Sequence, residues 1–453
     1  MRFGTDGVRG LANVELTPEL ATIIGRAAAR VLGGPRFLIG RDPRRSGPML
    51  EAALAAGIAA EGVDVELLGE LPTPAVACLS ALDGVPSAVI SASHNPAADN
   101  GIKLFSSAGL KLGDDVQSRL ETEMDAVAAG HVGSPTGARL GVVAHAERES
   151  MERYERTTIA ALDGRRLEGL PVVLDCANGA SSQVAPDVFE RLGADVTVIH
   201  ASPDGLNTTD GCGSTHPEDL TDAVLDGGAT LGFAFDGDAD RVLAVDAAGR
   251  LIDGDQLIAL SAIDLHRRGR LRGDTVVVTV MTNLGFRQGM AAAGIDVVET
   301  AVGDRHVLEA LDRGRFSLGG EQSGHLIFRD VATTGDGLLS ALLVADAVVR
   351  SGRGLGELAD AAMVRLPQVL RNVRLGSRPA DLLDRLGPAV ADVEGALGAT
   401  GRVLLRPSGT EPVVRVMVEA PDLADAERWA DELVLAVRSA AADGAPAGPA
   451  AAR

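Results

Sequence analysis

Short apolar runs alternate with longer stretches of helical periodicity along most of this chain. Phe37-Leu38-Ile39, Val172-Val173-Leu174, Val196-Thr197-Val198-Ile199 and residues 275–280 read as buried strands, while residues 17–31 and 48–60 carry apolar side chains at helical spacing. This alternation predicts an α/β architecture with largely parallel sheets. The pattern changes near the end, where residues 402–405 and 413–419 read as paired strands followed by an amphipathic helix over 422–440, a smaller α+β domain. Breaks rich in Gly, Pro, Ser or charge fall at 130–141, 247–255 and 365–369. The stretch 441–453, largely Ala, Gly and Pro, is predicted to be disordered.

Composition narrows this picture. The 453 residues suffice for roughly three domains of ordinary size. With aromatics at 2%, the cores must be built from Ala, Val, Leu and Ile. A net charge of −21 argues against nucleic acid as a partner, because phosphate backbones require a basic surface. No run approaches the ~18 apolar residues of a membrane helix, and no signal peptide is visible at the start. Cys78, Cys176 and Cys212 lack metal-like spacing and read as reduced thiols, so the expected location is cytoplasmic. Of the 42 basic residues only Lys103 and Lys111 are lysines. An ammonium can titrate when buried whereas a guanidinium essentially cannot, so a lysine kept at 103 favours a role in proton transfer.

Four segments carry candidate chemistry. Ser91-Ala92-Ser93-His94-Asn95-Pro96 follows the apolar run Ala88-Val89-Ile90, and Lys103 follows shortly after. A strand ending in small polar residues, Asn and Pro presents its last side chains on a tight loop, where the Ser93 hydroxyl can meet a substrate. No Gly-x-Ser-x-Gly elbow supports a serine hydrolase. Asp236-Gly237-Asp238-Ala239-Asp240-Arg241 sets three carboxylates at alternate positions beyond an apolar strand, where they can converge on a hard cation. An EF-hand is excluded, since Arg241 and Ala247 stand where that loop needs Gly and Glu. Magnesium fits better, with Arg241 as a phosphate-binding fork. Gly319-Gly320-Glu321-Gln322-Ser323-Gly324-His325 reads as a flexible loop with partners for sugar hydroxyls, although a surface turn would look similar. Arg406-Pro407-Ser408-Gly409-Thr410-Glu411-Pro412, with Arg415 beyond, suits a dianionic phosphate or a Pro-flanked hairpin loop.

In this order and at these separations, the four motifs resemble those of the α-D-phosphohexomutase superfamily over nearly the whole chain. Phe3-Gly4-Thr5-Asp6-Gly7-Val8-Arg9-Gly10, Gly40-Arg41-Asp42 and Thr73-Pro74 add to the resemblance. Cys212-Gly213-Ser214-Thr215-His216-Pro217-Glu218, Val302-Gly303-Asp304-Arg305 and Thr333-Thr334-Gly335-Asp336-Gly337 are similar to the branch acting on glucosamine phosphates. Ala301 and His306 depart from that pattern, where relatives usually carry Lys and Tyr.

The resemblance implies four domains around a central cleft: three similar α/β mixed-sheet domains (1–145, 146–250, 251–366) and a C-terminal α+β domain (367–440), before the tail 441–453. It implies a phosphorylated Ser93 and Mg2+ held by Asp236, Asp238, Asp240 and a phosphoserine oxygen. Arg9, Lys103 and His325 would line the reacting centre, with His94 and Asn95 supporting the loop. Glu321 and Ser323 would contact the sugar, Arg241 would meet phosphate, and Arg406, Ser408, Gly409, Thr410 and Arg415 would hold the substrate's other phosphate. The implied reaction interconverts glucosamine 6-phosphate and glucosamine 1-phosphate through a 1,6-bisphosphate intermediate and activator, on the route to UDP-N-acetylglucosamine. Implied partners are a small phosphosugar and no nucleic acid or membrane, with a homodimer admissible. Phosphoglucomutase or phosphomannomutase activity is the near alternative. An Asp236-nucleophile phosphatase and a non-catalytic sugar-phosphate sensor are the remote ones.

Overall fold

The computed structural model describes residue 4 and residues 7–130, 133–375, 381–407 and 413–442. The chain divides into two compact units, residues 1–282 with 293–362 and residues 283–292 with 363–453.

Three sheets build the first unit. The first comprises β1 (Val8–Leu11), β2 (Arg36–Arg41), β3 (Asp64–Glu70), β4 (Ser87–Ile90), β5 (Asp99–Phe105) and β6 (Val143–His145), in the order β1-β5-β4-β2-β3-β6. The second comprises β7 (Pro171–Asp175), β8 (Asp195–Ile199), β9 (Leu231–Phe235), β10 (Val242–Asp246) and β11 (Leu251–Ile252), in the order β11-β10-β9-β7-β8. The third comprises β12 (Thr275–Thr279), β13 (Asp296–Thr300), β14 (Leu318–Gly320) and β15 (Leu326–Phe328), in the order β13-β12-β14-β15.

Each sheet is mixed, so the largely parallel arrangement expected from the alternating pattern holds only in part. Strands joined through helices pair in parallel, whereas β4–β5, β9–β10 and β14–β15 are antiparallel. The physical reason is loop length: a short connection can only fold a strand back on its neighbour, while a parallel neighbour needs a crossover. These three short returns carry the first three motifs. The break expected at 250/251 falls inside the β10–β11 pairing.

Scarce aromatics are offset by close backbone packing. Helix Pro18–Leu32 starts at Thr17, whose side chain accepts from the Leu20 N–H, with Pro18 in the first turn and Gly33 at the end. It lies against helix Gly47–Ala59 so closely that a Cβ on Gly25 would stand 2.3 Å from the Leu54 carbonyl oxygen. Ile24, Leu54 and Ile58 are fully buried there, each contributing about 1.5–3 kcal/mol.

Further along, Asp336 caps helix Gly337–Ser351 by accepting from Leu339 N–H at 2.9 Å, and Tyr154 Oη donates to its carboxylate. Burial pushes the Asp336 carboxyl up from 3.8 to about 6. A raised acid pKa means that the folded state holds its proton more tightly than the unfolded chain. The contribution is fully present below 3.8 and lost as pH climbs through about 6, some 3 kcal/mol in all. Asp336→Asn keeps a capping oxygen without a titrating group. As pH rises across this window the urea midpoint of the unmodified chain should drop relative to that of the variant; parallel profiles would refute the assignment.

The second unit contains one antiparallel sheet, formed by β16 (Gln368–Arg374), β17 (Arg402–Pro407) and β18 (Val413–Glu419) in the order β16-β18-β17. The amphipathic helix expected over 422–440 is present as Leu423–Ala442 and buries Ala426, Ala430, Leu433 and Val437 against this sheet. That spacing is one helical stripe.

Candidate functional site

The turn after β4 brings Ser93 into the left-handed region, φ 54°, a conformation costing a non-glycine residue about 1–3 kcal/mol unless its surroundings hold it. Those surroundings are a buried polar frame. Ser93 N–H donates to Ser91 Oγ at 2.9 Å, Ser91 Oγ donates to Asp42 Oδ2 at 2.6 Å, and Arg44 Nε donates to the same carboxylate at 2.8 Å. The Arg44 guanidinium then donates to the carbonyls of Ser93, Asn95, Pro96 and Asp99 at 2.6–3.1 Å. Arg44 and Asp42 are fully buried. Burial raises the Asp42 carboxyl despite the opposing pull of Arg44 and Ser91.

Arg44 therefore clamps the Ser93 loop by its backbone. Nothing local in the sequence assigns a role to Arg44, to Asp42 within Gly40-Arg41-Asp42, or to Ser91; the available signal is a charged run placed directly after strand β2. Arg44→Met would leave the buried Asp42 carboxylate without its guanidinium and take the donor from the Ser93 and Asn95 carbonyls, a loss of about 3–5 kcal/mol, measurable as a lower denaturant midpoint. A variant as stable as the parent would refute the clamp.

The clamped hydroxyl points at the second sheet. Ser93 Oγ donates to Asp236 Oδ2 at 2.6 Å and lies 3.1 Å from His94 Nδ1. The approach requires Gly237, where a Cβ would stand 2.5 Å from the Ser93 carbonyl oxygen. Ala239 takes a positive φ of 55° within the turn that follows β9, and the side chains of Asp236, Asp238 and Asp240 converge with donor oxygens within 4.8 Å of one another. Lys103, on β5, reaches Asp238 Oδ2 at 2.7 Å and Asp240 Oδ2 at 3.7 Å. Thr73 Oγ1 also donates to Asp238 Oδ2, at 2.5 Å.

This set fits a hard divalent cation. Asp238 Oδ1 and Asp240 Oδ1 are buried and have no hydrogen-bond partner among the described residues; His325 Nδ1 and Arg241 Nε face Asp240 Oδ1 only at 3.7 and 3.8 Å. Burial, with Asp240 and Asp238 beside it, holds the Asp236 carboxyl well above the usual range. Burial also works against ionised Asp240, but Lys103, His325 and Arg241 overcome it and hold that carboxyl well below its usual range. A divalent cation on these oxygens would relieve the mutual repulsion.

The remaining expected residues divide into three groups. Arg241 N–H donates to Asp236 Oδ1 at 3.2 Å, and its guanidinium lies 3.4 Å from His94 Nδ1. Burial, Arg241 and Arg9 all lower the His94 pKa. Arg9 sits on β1 opposite Gly101 of β5, two residues from Lys103. Asn95 Nδ2 donates to Asp99 Oδ2 at 3.1 Å, within the loop.

The expected flexible loop around Glu321 is instead the tight turn joining β14 to β15, with Gly319, Gly320 and Gly324 buried. Glu321 Oε1 accepts from Gly303 N–H at 3.0 Å, so Ala301 and His306 flank the segment that anchors it. Ser323 is exposed at the turn. His325 is buried, accepts from Gly335 N–H at 3.2 Å, and faces Asp304 Oδ2 at 3.6 Å. Lys111 pairs with that same Asp304 carboxylate.

In the second unit Arg406 and Arg415 stand directly opposite each other on β17 and β18. Burial and the neighbouring Arg415 charge lower the Arg406 pKa, so an anion between them would be stabilising. Ser408, Gly409 and Thr410 lie outside the described residues, as do Phe3, Thr5, Asp6 and residues 443–453.

Four family models match the chain in order: Phosphoglucomutase/phosphomannomutase alpha/beta/alpha domain I over residues 1–130, domain II over 152–249, domain III over 253–366 and the C-terminal domain over 369–436. A phosphoglucosamine mutase of Rhodococcus opacus is 52% identical over 445 residues, 96% of this chain and 99% of that one. The crystal structure of a phosphoglucomutase/phosphomannomutase family protein from Burkholderia thailandensis matches with a TM-score of 0.79 at 26% identity, covering 98% of each chain. N-acetylphosphoglucosamine mutase of Aspergillus fumigatus, solved with GlcNAc-6P and magnesium, shares the fold with a TM-score of 0.66 at 20% identity, covering 97% of this chain and 96% of that one.

Proposed function

This chain belongs to the phosphoglucomutase/phosphomannomutase family, and from that premise we propose that it interconverts glucosamine 6-phosphate and glucosamine 1-phosphate. Relatives 52–53% identical over nearly the whole chain are phosphoglucosamine mutases, which supports the choice of sugar. The observation that carries the phosphoryl-transfer reading is the buried approach of Ser93 Oγ to Asp236 within the three-aspartate cluster.

In this reading Ser93 is phosphorylated in the resting enzyme. The sugar's 1-hydroxyl attacks its phosphorus; the bond to Ser93 Oγ breaks, the bond to O1 forms, and the hydroxyl proton passes to Lys103. The resulting 1,6-bisphosphate turns over and presents its 6-phosphate to Ser93. The O6–phosphorus bond breaks, Ser93 Oγ is rephosphorylated, and O6 recovers the proton. No phosphate is lost over the cycle.

Phosphoryl transfer asks the protein chiefly for positioning and for neutralisation of charge. Arg44 and Ser91 would supply the first, and Arg241, Arg9 and His325 part of the second. Asp236, Asp238 and Asp240 would hold Mg2+, which when bound neutralises charge on the transferring group. Glu321 and Ser323 would take sugar hydroxyls, and Arg406 with Arg415 the other phosphate. A cytoplasmic location, feeding UDP-N-acetylglucosamine synthesis, belongs to the same reading and agrees with three free cysteines.

The decisive assay compares glucosamine, glucose and mannose phosphates side by side with Mg2+. The expected result is the highest kcat/KM on glucosamine phosphate; a preference for glucose or mannose would overturn the sugar assignment.

A further inference from the structure

A second cluster of metal-ligating side chains lies off the same sheet that carries the aspartates. Asp175 is the last residue of β7, His200 follows the parallel neighbour β8, and Cys212 precedes a short turn of helix at Gly213–Thr215. One donor atom from each lies within 4.8 Å of the others. Ligands of α/β proteins characteristically gather beyond the carboxyl ends of parallel strands, which is where Asp175 and His200 stand.

We propose that Asp175, His200 and Cys212 form a binding site for a borderline-soft divalent cation of the Zn2+ class, separate from the hard-cation site at Asp236, Asp238 and Asp240. Thiolate and imidazole donors select Zn2+ over Mg2+, which prefers oxygen. The histidine is held as metal-bound histidines are. Its Nδ1 is buried 3.1 Å from Asp175 Oδ1, yet without hydrogen-bond geometry to any partner among the described residues. Its Nε2 lies 3.1 Å from Asp219 Oδ2, the outer carboxylate that orients a ligating ring.

Asp175 keeps its place through Ala177 and Gly213 N–H groups, each donating at 2.9 Å, and retains lone pairs for a cation. Asn178 Nδ2 approaches Cys212 Sγ at 3.9 Å. The surrounding loops hold four non-glycine residues at positive φ, Ala177, Asn178, His200 and Thr209, strain of the kind that functional sites store. Binding would replace the Cys212 S–H bond by a sulfur–metal bond and release that proton to solvent.

The site would brace the catalytic turn from behind. Ala180 N–H donates to the Gly237 carbonyl at 2.9 Å, and a Cβ on Gly213 would stand 2.4 Å from the Phe235 carbonyl oxygen. A cation joining residue 175 to 200 and 212 would tie these loops together beneath the Asp236 turn. The inference does not depend on which sugar the enzyme uses.

The test is optical titration of the metal-stripped full chain with Co2+ alone. The expected result is a thiolate-to-cobalt charge-transfer band saturating at one equivalent, retained in Asp240→Asn and lost in Cys212→Ser. His200→Ala should weaken binding by more than the ~10–100-fold that loss of a supporting partner costs. A titration without the band, or a band surviving in Cys212→Ser, would overturn the proposal. X-ray absorption of the unmodified protein loaded with Zn2+ guards against a variant that misfolds. One sulfur at ~2.3 Å is expected, and a shell of nitrogen and oxygen alone would sink the site.

Discussion

Replacing Ser93 by Ala is expected to lower kcat for the mutase reaction by on the order of 10⁶-fold, the scale seen when a covalent nucleophile is removed from a machine whose parts act as a unit. The hydroxyl donates to Asp236 at 2.6 Å and occupies a left-handed turn held by Ser91, Asp42 and Arg44. Ala leaves that frame standing, because the frame grips the backbone of residue 93 and the Ser91 side chain. Stability should therefore fall by no more than the ~1–3 kcal/mol of taking the donor from Asp236 Oδ2, while turnover collapses. Mass mapping of the phosphorylated protein should place phosphate on Ser93 and find none in the variant. A phosphatase using Asp236 as nucleophile would instead survive Ser93→Ala, and phosphate on another residue would move the nucleophile elsewhere.

The second large effect belongs to Lys103. Lys103→Arg preserves a cation beside Asp238 and Asp240 but exchanges a group that can shed its proton for one that essentially cannot. If Lys103 takes the hydroxyl proton, kcat should fall by about 10²–10⁴-fold, with KM changed far less. Lys103→Met would be a poorer probe, since it leaves the aspartates without their ammonium and confuses chemistry with stability. Thermal melting of the Arg variant separates the two cases: an unchanged midpoint with a large loss of kcat supports proton transfer, whereas full activity would assign Lys103 to charge neutralisation alone.

The parts of the site legible in the sequence were those whose chemistry is local. Asp236, Asp238 and Asp240 announce a cation because three carboxylates at alternate positions repel one another without one. Ser93 announced itself by its place at a strand end, and the helix beginning at Pro18 by Thr17 and its periodic apolar face. The kinship of the first three domains was not legible in composition or periodicity, since length alone suggested roughly three domains and the family models delimit four.

The Glu321 segment shows the same boundary from the other side. Its glycines read as flexibility, yet they are buried where β14 turns into β15, because the side chain they lack leaves room for neighbouring backbone. Likewise, Arg44 is one of 42 basic residues in the sequence, and nothing local distinguishes it. Only folding buries its fork among four carbonyls of the Ser93 loop.

What the chain determined by itself was the inventory: a hydroxyl on a tight loop, a carboxylate triad, two lysines, and strands and helices in α/β alternation. Which of these meet was decided by tertiary structure. Ser93 and Asp236 are 143 residues apart, and Lys103 and Asp238 are 135 apart. No local spacing can encode such pairs; they meet because short returns at the ends of two sheets face each other, with Gly237 leaving space for the Ser93 backbone.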